Sequence, residues 1–161
     1  MHFLATCSPG VESLVRSELE RQWIDITYGQ DRLVAFDGDM NTLAQANIWL
    51  RTANRVYIEL DRMHVTSFDA LFAYIEAINW SEWIPWNTPI LVSATSSRSV
   101  LTHTPTIQSI GKKAIIRRLT QGSDDWHENE LYHPLEVFFL LVGDEMRILL
   151  NTSGDALHKR G

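Results

Sequence analysis

Apolar residues in the first third of the chain recur with the spacings of short strands and helices. One helical face runs through residues 11–22 and comprises Val11, Leu14, Val15 and Leu19. Asn41-Thr42 can cap a second helix, whose inner face comprises Leu43, Ala46 and Leu50. Short apolar or alternating runs between turn residues indicate strands. These strands are expected at residues 3–6, 23–28, 33–36 and 56–60.

The order strand, helix, strand, strand, helix, strand is the split βαβ arrangement of a ferredoxin-like module. A connection at 63–67 follows it, so a second small subdomain is expected from there on. We therefore predict an α+β protein of two subdomains that divide near residues 61–66. The second is expected to contain helices at 68–78 and 105–119, a turn with Trp80, Trp83 and Trp86, a polar loop at 96–104, and strands at 90–94, 135–142 and 146–150.

Charge is unevenly distributed along the chain, although the net charge of −6 argues against binding to nucleic acid. Residues 1–86 hold twelve acids and six bases, whereas residues 87–161 hold eight of each. The stretch 83–123 contains no Asp or Glu and five bases. Because a local field depends on where charges lie, a basic face can still bind phosphates on an acidic protein.

The composition limits the class of protein and its compartment. A length of 161 residues suffices for one core or two small ones, and 45% hydrophobic residues exclude a disordered chain. Cys7 is the single cysteine, which favours a reducing compartment. The chain shows no signal peptide and no apolar run long enough to span a membrane. We expect a soluble, cytoplasmic protein without a membrane partner.

The helix predicted over 105–119 carries the clearest candidate for binding chemistry. Its bases Lys112, Lys113 and Arg117 lie opposite the apolar face and have no acidic neighbour on the helix. The loop before it offers the hydroxyls and the guanidinium of Ser96, Ser97, Arg98 and Ser99, donors that suit phosphate oxygens. These residues indicate either a phosphate-binding surface or a solvated basic helix beside a polar loop.

Three other features have weaker functional interpretations. The Trp80, Trp83 and Trp86 spacing suits base stacking or, as we favour, core packing. The acidic loop at 122–133 lacks the pattern of a calcium loop, so we predict no metal site. No motif supports Cys7 as a nucleophile, and we predict a packed thiol. The sequence therefore indicates no catalytic residues.

Four segments, in order, carry a resemblance to a known family. They are ATCSPGVESLVRSEL at 5–19, FDGDMNTLAQANIWLRTANRV at 36–56, LTHTPTIQSIGKKAIIRRL at 101–119 and NTSGDALHKRG at 151–161. Together they resemble the N-terminal region of bacterial THUMP-containing RNA (guanine-N2) methyltransferases of the large-subunit rRNA type. Members of this group are also described as N6-adenine-specific DNA methylases.

The resemblance implies a ferredoxin-like domain at 1–61 and a THUMP-type α/β RNA-binding domain at 62–161. It implies rRNA or tRNA as the partner, bound for methylation by a Rossmann-like C-terminal domain that uses S-adenosylmethionine. The glycine-rich loop and the catalytic motif of that domain do not occur in this sequence. No activity and no cofactor are therefore expected for this chain alone.

The resemblance also assigns the RNA-binding residues. They are Ser96, Ser97, Arg98, Ser99, Lys112, Lys113 and Arg117, together with His158, Lys159 and Arg160 in the segment that leads to the catalytic domain. An alternative is a docking or dimerisation domain without RNA contact, in which the strand at 137–142 pairs along a sheet edge. A free-standing methylase is the weakest interpretation.

Overall fold

The structure, a computed structural model, describes residues 1–30 and 32–152. It contains two units: residues 1–59 with Asn151 and Thr152, and residues 60–150. No helix among the described residues is long and apolar enough to cross a bilayer. The predicted α+β class is confirmed.

The first unit has the element order expected from the sequence. Its strand order is β2-β3-β1-β4, and β1 pairs antiparallel with both β3 and β4. The core lies beneath β1 and β3, where Phe3 and Phe36 are fully buried with ring centroids 5.4 Å apart. The elements are β1 (His2–Thr6), α1 (Glu12–Arg21), β2 (Asp25–Gln30), β3 (Leu33–Asp37), α2 (Met40–Trp49) and β4 (Arg55–His64).

Two local expectations for this unit are wrong. Helix α2 is capped by Asp39, whose carboxylate accepts from the Thr42 backbone N–H at 3.0 Å, rather than by Asn41-Thr42. Asp39 and Thr42 satisfy each other's backbone N–H groups, the reciprocal arrangement that begins many helices. Leu14, expected on the inner face of α1, is 53% exposed, and α1 buries Val15 and Leu19.

The second unit contains α3 (Phe68–Glu76), a 3₁₀ turn at Trp80–Glu82, β5 (Ile90–Ser97), α4 (Thr104–Thr120), β6 (Leu135–Val142) and β7 (Glu145–Asn151). Strand β6 pairs in parallel with β5 and antiparallel with β7. Because β6 has a partner on both sides, the expectation that its VFFLLV run dimerises along an edge is wrong. Gly143 and Asp144 both have positive φ in the β6–β7 turn, as a two-residue hairpin with right-handed twist requires.

Helix α4 differs from the prediction at its start. The helix begins at Thr104 rather than at residue 105, and the Nδ1 atom of His103 caps it by accepting from the Thr106 backbone N–H at 3.3 Å. Pro105 lies in the first turn, where its missing N–H costs nothing. Strand β5 extends to Ser97, so Ser96 and Ser97 belong to the strand rather than to the polar loop. Strand β4 likewise runs on to His64.

Gly111 lets α4 lie directly on β6. A Cβ atom at this position would lie 2.4 Å from Cε2 of Phe139, a side chain that is fully buried. The other buried apolar residues of the helix are Ile107, Ala114 and Ile115. This buried face lies opposite Lys113 and Arg117, as the sequence predicts, and it fixes which residues of α4 face solvent.

Replacing Gly111 with alanine is therefore expected to destabilise the protein. Alanine favours a helix by about 1 kcal/mol over glycine, but the overpacking against Phe139 costs about 1–3 kcal/mol. Denaturant unfolding measures whether the free energy of unfolding of Gly111→Ala is lower than that of the parent. The double variant Gly111→Ala/Phe139→Leu should recover part of the loss, and a Gly111→Ala protein more stable than the parent would contradict the packing.

Candidate nucleic-acid interface

The bases of α4 divide into those that are held by acids and those that are not. Lys112 Nζ lies 3.1 Å from Oε1 of Glu128, and Arg117 Nε lies 3.6 Å from Oε2 of Glu76. The Arg117 guanidinium also lies 5.9 Å from the centroid of the Phe72 ring. As predicted, these bases have no acidic neighbour on the helix, and the acids that pair with Lys112 and Arg117 come from outside the acid-free stretch.

Lys113 and Arg118 are exposed and form no ion pair within residues 1–30 and 32–152. Arg117 keeps 65% of its side chain exposed despite its contact with Glu76. The C-terminal half of α4 therefore presents a cationic surface, the α4 basic surface, formed by Lys113, Arg117 and Arg118.

Two shallow depressions, each of about 480 Å³, flank the α4 basic surface. One is lined by Lys113, Arg117, Thr120 and Ser123. The other is lined by Arg117, Arg118 and Glu76 together with Asn79 and Ser81. Ser81 Oγ donates to Asn79 Oδ1, Asn79 Nδ2 to Glu82 and Thr120 Oγ1 to the Ile116 carbonyl. The cationic side chains are therefore the main groups that these depressions offer to phosphate oxygens.

The segment Ser96 to Ser99 uses most of its hydroxyls internally. Ser96 Oγ donates to the Leu101 carbonyl at 2.5 Å, and Ser99 Oγ donates to the Ser97 carbonyl at 3.0 Å. Asp144 braces the loop, since its carboxylate accepts from the Val100 N–H at 2.7 Å and its N–H donates to Ser99 Oγ. Of the hydrogen-bond donors expected to bind phosphate here, the exposed Ser97 and Arg98 therefore remain.

Arg98 and the α4 basic surface lie towards opposite ends of α4. Nine residues separate Thr104 from Lys113, which is roughly 14 Å along a helix axis. Arg98 has a φ of 52°, and no ion pair to it occurs in the part of the chain that the structure describes. The structure thus separates the sequence-predicted residues into two basic points. His158, Lys159 and Arg160 lie outside the described residues.

The tryptophans expected to pack or to stack behave differently from one another. Trp80 is fully buried and its Nε1–H donates to the Ile75 carbonyl at 2.7 Å, which confirms core packing for this residue. Trp86 is 48% exposed and meets Trp126 edge to face at 5.5 Å.

Cys7 is buried, as expected of a packed thiol. Burial raises the pKa of its thiol, and the negative charge of Glu12 raises it further.

Metal binding has no support in the described part of the chain. No group of three or more His, Cys, Asp or Glu among residues 1–30 and 32–152 is placed to hold a metal ion. In the acidic loop, Glu128 is turned towards Lys112 and the Ile90 N–H. This loop therefore neutralises part of the basic helix.

Glu128 gives the second unit a predictable dependence on pH. Partial burial pushes its pKa upward, but hydrogen bonds from the Ile90 N–H and Lys112 outweigh burial, so the pKa lies below its ordinary value. A carboxylate with a lowered folded pKa stabilises the protein above its unfolded pKa, and this stabilisation is lost as the pH falls through the folded pKa.

Glu128→Gln should accordingly cost about 1–2 kcal/mol at pH 7. The difference from the parent should shrink as the pH is lowered below the ordinary range of a glutamate. Urea unfolding at a series of pH values checks it, with Glu130→Gln, an exposed neighbour, as the control. A difference that does not change with pH would contradict the role of the charged form.

Comparison with known proteins identifies part of the chain directly. Residues 2–57 match the RlmL ferredoxin-like domain. The RlmL ferredoxin-like domain covers β1 to the first residues of β4, the part of the first unit that precedes residue 58.

The similarity extends well beyond the RlmL ferredoxin-like domain. YpsC, a proposed RNA methyltransferase of Bacillus subtilis (strain 168), is 35% identical over 98% of this chain. The ribosomal RNA large subunit methyltransferase K/L of Desulfotalea psychrophila is 27% identical over 99%. The resemblance to the N-terminal region of THUMP-containing methyltransferases is thereby confirmed. This chain spans 41% and 22%, respectively, of the lengths of these two relatives.

Solved structures of methylases are likewise similar to nearly the whole chain. A possible methylase from Clostridium difficile 630 has a TM-score of 0.92 and 32% identity, covering 99% of this chain and 43% of that one. SMU.472, a proposed methyltransferase in complex with SAH, has a TM-score of 0.90 and 31% identity, covering 99% and 43%. A 4-thiouridine synthetase in a complex with RNA and ATP, at 11% identity and a TM-score of 0.56 over 93% of this chain and 40% of that one, shows a related fold.

Proposed function

We propose that this chain is the RNA-binding module of an S-adenosylmethionine-dependent RNA methyltransferase. Residues 1–61 act as its ferredoxin-like domain and residues 62–161 as a THUMP-type domain. The module binds structured rRNA or tRNA in the cytoplasm and positions it for guanine-N2 methylation by a C-terminal domain. The observation that carries the proposal is the α4 basic surface, exposed beside two depressions in a chain whose relatives are RNA methyltransferases.

The residues of the surface have distinct parts in this proposal. Lys113 and Arg118, which form no ion pair with any described residue, neutralise phosphates without breaking one. Arg117 exchanges its contact with Glu76 for a phosphate, and the Phe72 ring keeps the guanidinium in place meanwhile. Lys112 remains with Glu128 and stabilises the acidic loop. The role of this chain is to bind and orient RNA, and the bound S-adenosylmethionine of the C-terminal domain supplies the methyl group.

This surface is better suited to recognising the shape and phosphates of structured RNA than to reading a base sequence. Side chains cannot read the narrow major groove of an A-form helix, so proteins recognise duplex RNA through phosphates, 2′-hydroxyls and shape. A rigid helix that presents three cationic side chains suits such a regular array of phosphates. The excess of acids elsewhere, which makes the net charge −6, weakens attachment outside this surface.

Fluorescence anisotropy with labelled rRNA hairpins, tRNA and duplex DNA of equal charge tests the proposal. We expect RNA to bind more tightly than DNA, with an affinity that falls steeply as salt rises. Light scattering of the same samples shows whether binding changes the oligomeric state. A chain that forms a stable dimer and binds neither hairpin nor tRNA would overturn the proposal in favour of a docking domain.

A further inference from the structure

A groove that is separate from the α4 basic surface lies between α1 and α2 of the first unit. It has a volume of about 410 Å³, and its lining includes Leu14, Glu18, Arg21, Trp49 and Arg51. Leu14 is 53% and Trp49 57% exposed, so each leaves apolar surface in water that the core does not use. Single exposed apolar residues are common, but two of them in one groove mark a binding surface.

The charged residues of this groove are arranged for an anion. Arg21 and Arg51 are exposed and have no ion pair in the described parts of the chain. Glu18 is the one acid among the residues that line the groove. The groove therefore carries a local excess of positive charge within a unit whose acids outnumber its bases.

Glu18 serves the groove as a brace. Its carboxylate accepts from the Arg51 N–H at 2.7 Å, from the Thr52 N–H at 3.2 Å and from Thr52 Oγ1 at 2.5 Å. These bonds fasten the segment after α2 to α1 and hold Arg51 and Trp49 at the groove. They also occupy the acceptors of Glu18, so the guanidinium groups of Arg21 and Arg51 are the charged groups of the groove that remain to bind a ligand.

We propose that this groove binds an unpaired nucleotide of RNA, with the base on Trp49 and the phosphate between Arg21 and Arg51. An exposed indole beside guanidinium groups is the combination that single-strand binders use, since every base has a face to stack and every nucleotide has a phosphate. The proposal rests on the proposed function, in that RNA is the ligand. It adds a single-strand site to a protein whose α4 basic surface takes structured RNA.

Nuclear magnetic resonance of the tryptophan indole N–H groups tests this proposal on the whole chain. The probes are an unstructured uridine octamer and a blunt-ended hairpin with a closed, stable loop. We expect the octamer to shift the Trp49 signal and the blunt hairpin to leave it in place. Trp23, which is 94% exposed and does not line the groove, is the matched control. Its signal should stay unchanged with both probes.

Variants give the size of the effect. Trp49→Ala should weaken binding of the octamer roughly five- to hundredfold, the range for loss of one stacked base. Trp23→Ala should change it less than about twofold, and Arg21→Ala/Arg51→Ala should abolish the Trp49 shift. If the hairpin binds and the octamer leaves Trp49 unmoved, or moves Trp23 equally, this proposal is wrong and the proposed function stands. If the octamer acts at Trp49 and the hairpin does not bind, the positioning of structured RNA is wrong instead.

Discussion

Replacing Trp80 with alanine is expected to lower the free energy of unfolding by about 3–5 kcal/mol, the range for large aromatic truncations in a core. The side chain is fully buried, and the indole N–H donates to the Ile75 carbonyl at the end of α3. Alanine removes the ring and the hydrogen bond that its indole N–H donates to this carbonyl. A marginally stable domain loses a large part of its stability in such a change.

Trp86→Ala is the matched comparison, because the two residues are six positions apart in the same turn. Trp86 is half exposed, so its replacement should cost about 1 kcal/mol or less, mostly through the edge contact with Trp126. Denaturant unfolding of both variants, followed by far-ultraviolet circular dichroism, measures the two losses. Equal losses would contradict the division of the tryptophans into one core residue and one surface residue.

Replacing Lys113 and Arg118 together with alanine is expected to weaken RNA binding without loss of stability. Each phosphate contact removed should lower the magnitude of the slope of log affinity against log salt by about 0.7–0.9. The double variant should therefore lower the magnitude of this slope by about 1.4–1.8. Charge reversal with Glu at both positions should reduce affinity on the order of tenfold or more at low salt. Anisotropy titrations of a labelled hairpin at several salt concentrations give both quantities.

Lys112→Ala is the control for this pair, since it lies on the same helix, one residue from Lys113. Its ammonium group is committed to Glu128, so its loss should reduce stability and leave the salt slope of RNA binding unchanged. The two neighbouring lysines are thus expected to have opposite phenotypes. A salt slope that falls as much for Lys112→Ala as for Lys113→Ala would remove the distinction between paired and free bases.

The arrangement of helices and strands could be predicted from the sequence because it follows from hydrophobic periodicity. The buried residues of α4 are the clearest case, since Ile107, Gly111, Ala114 and Ile115 recur with the helical repeat. The helix starts were less accurate. Asp39 precedes the residues expected to cap α2, and α4 begins at Thr104 rather than at residue 105. Several polar side chains near a helix start can accept from the same backbone N–H groups.

The exposure of Leu14 could not be predicted in the same way. Its position on α1 falls within the arc of apolar residues, but the width of that arc that is covered depends on what packs against the helix. This residue now lines a groove with Trp49. Periodicity thus finds the side of a helix that faces a core and does not find where the core ends.

The partners of the bases depend on the fold and could not be read from the chain. Glu128 lies 16 residues from Lys112, and Glu76 lies 41 residues from Arg117. Neither distance along the sequence signals a contact. The brace of the β5–α4 loop by Asp144 was missed for the same reason, because it comes from a hairpin turn 44 residues from Val100.

The most direct test of the central claim, that RNA binds to the exposed bases of α4, is lysine protection. The chain has three lysines, Lys112, Lys113 and Lys159, so their rates of acetylation can be followed individually by mass spectrometry. With a saturating structured hairpin, we predict that acetylation of Lys113 slows strongly while Lys112, already paired with Glu128, changes little. RNA that is bound yet leaves the acetylation rate of Lys113 unchanged would contradict the account.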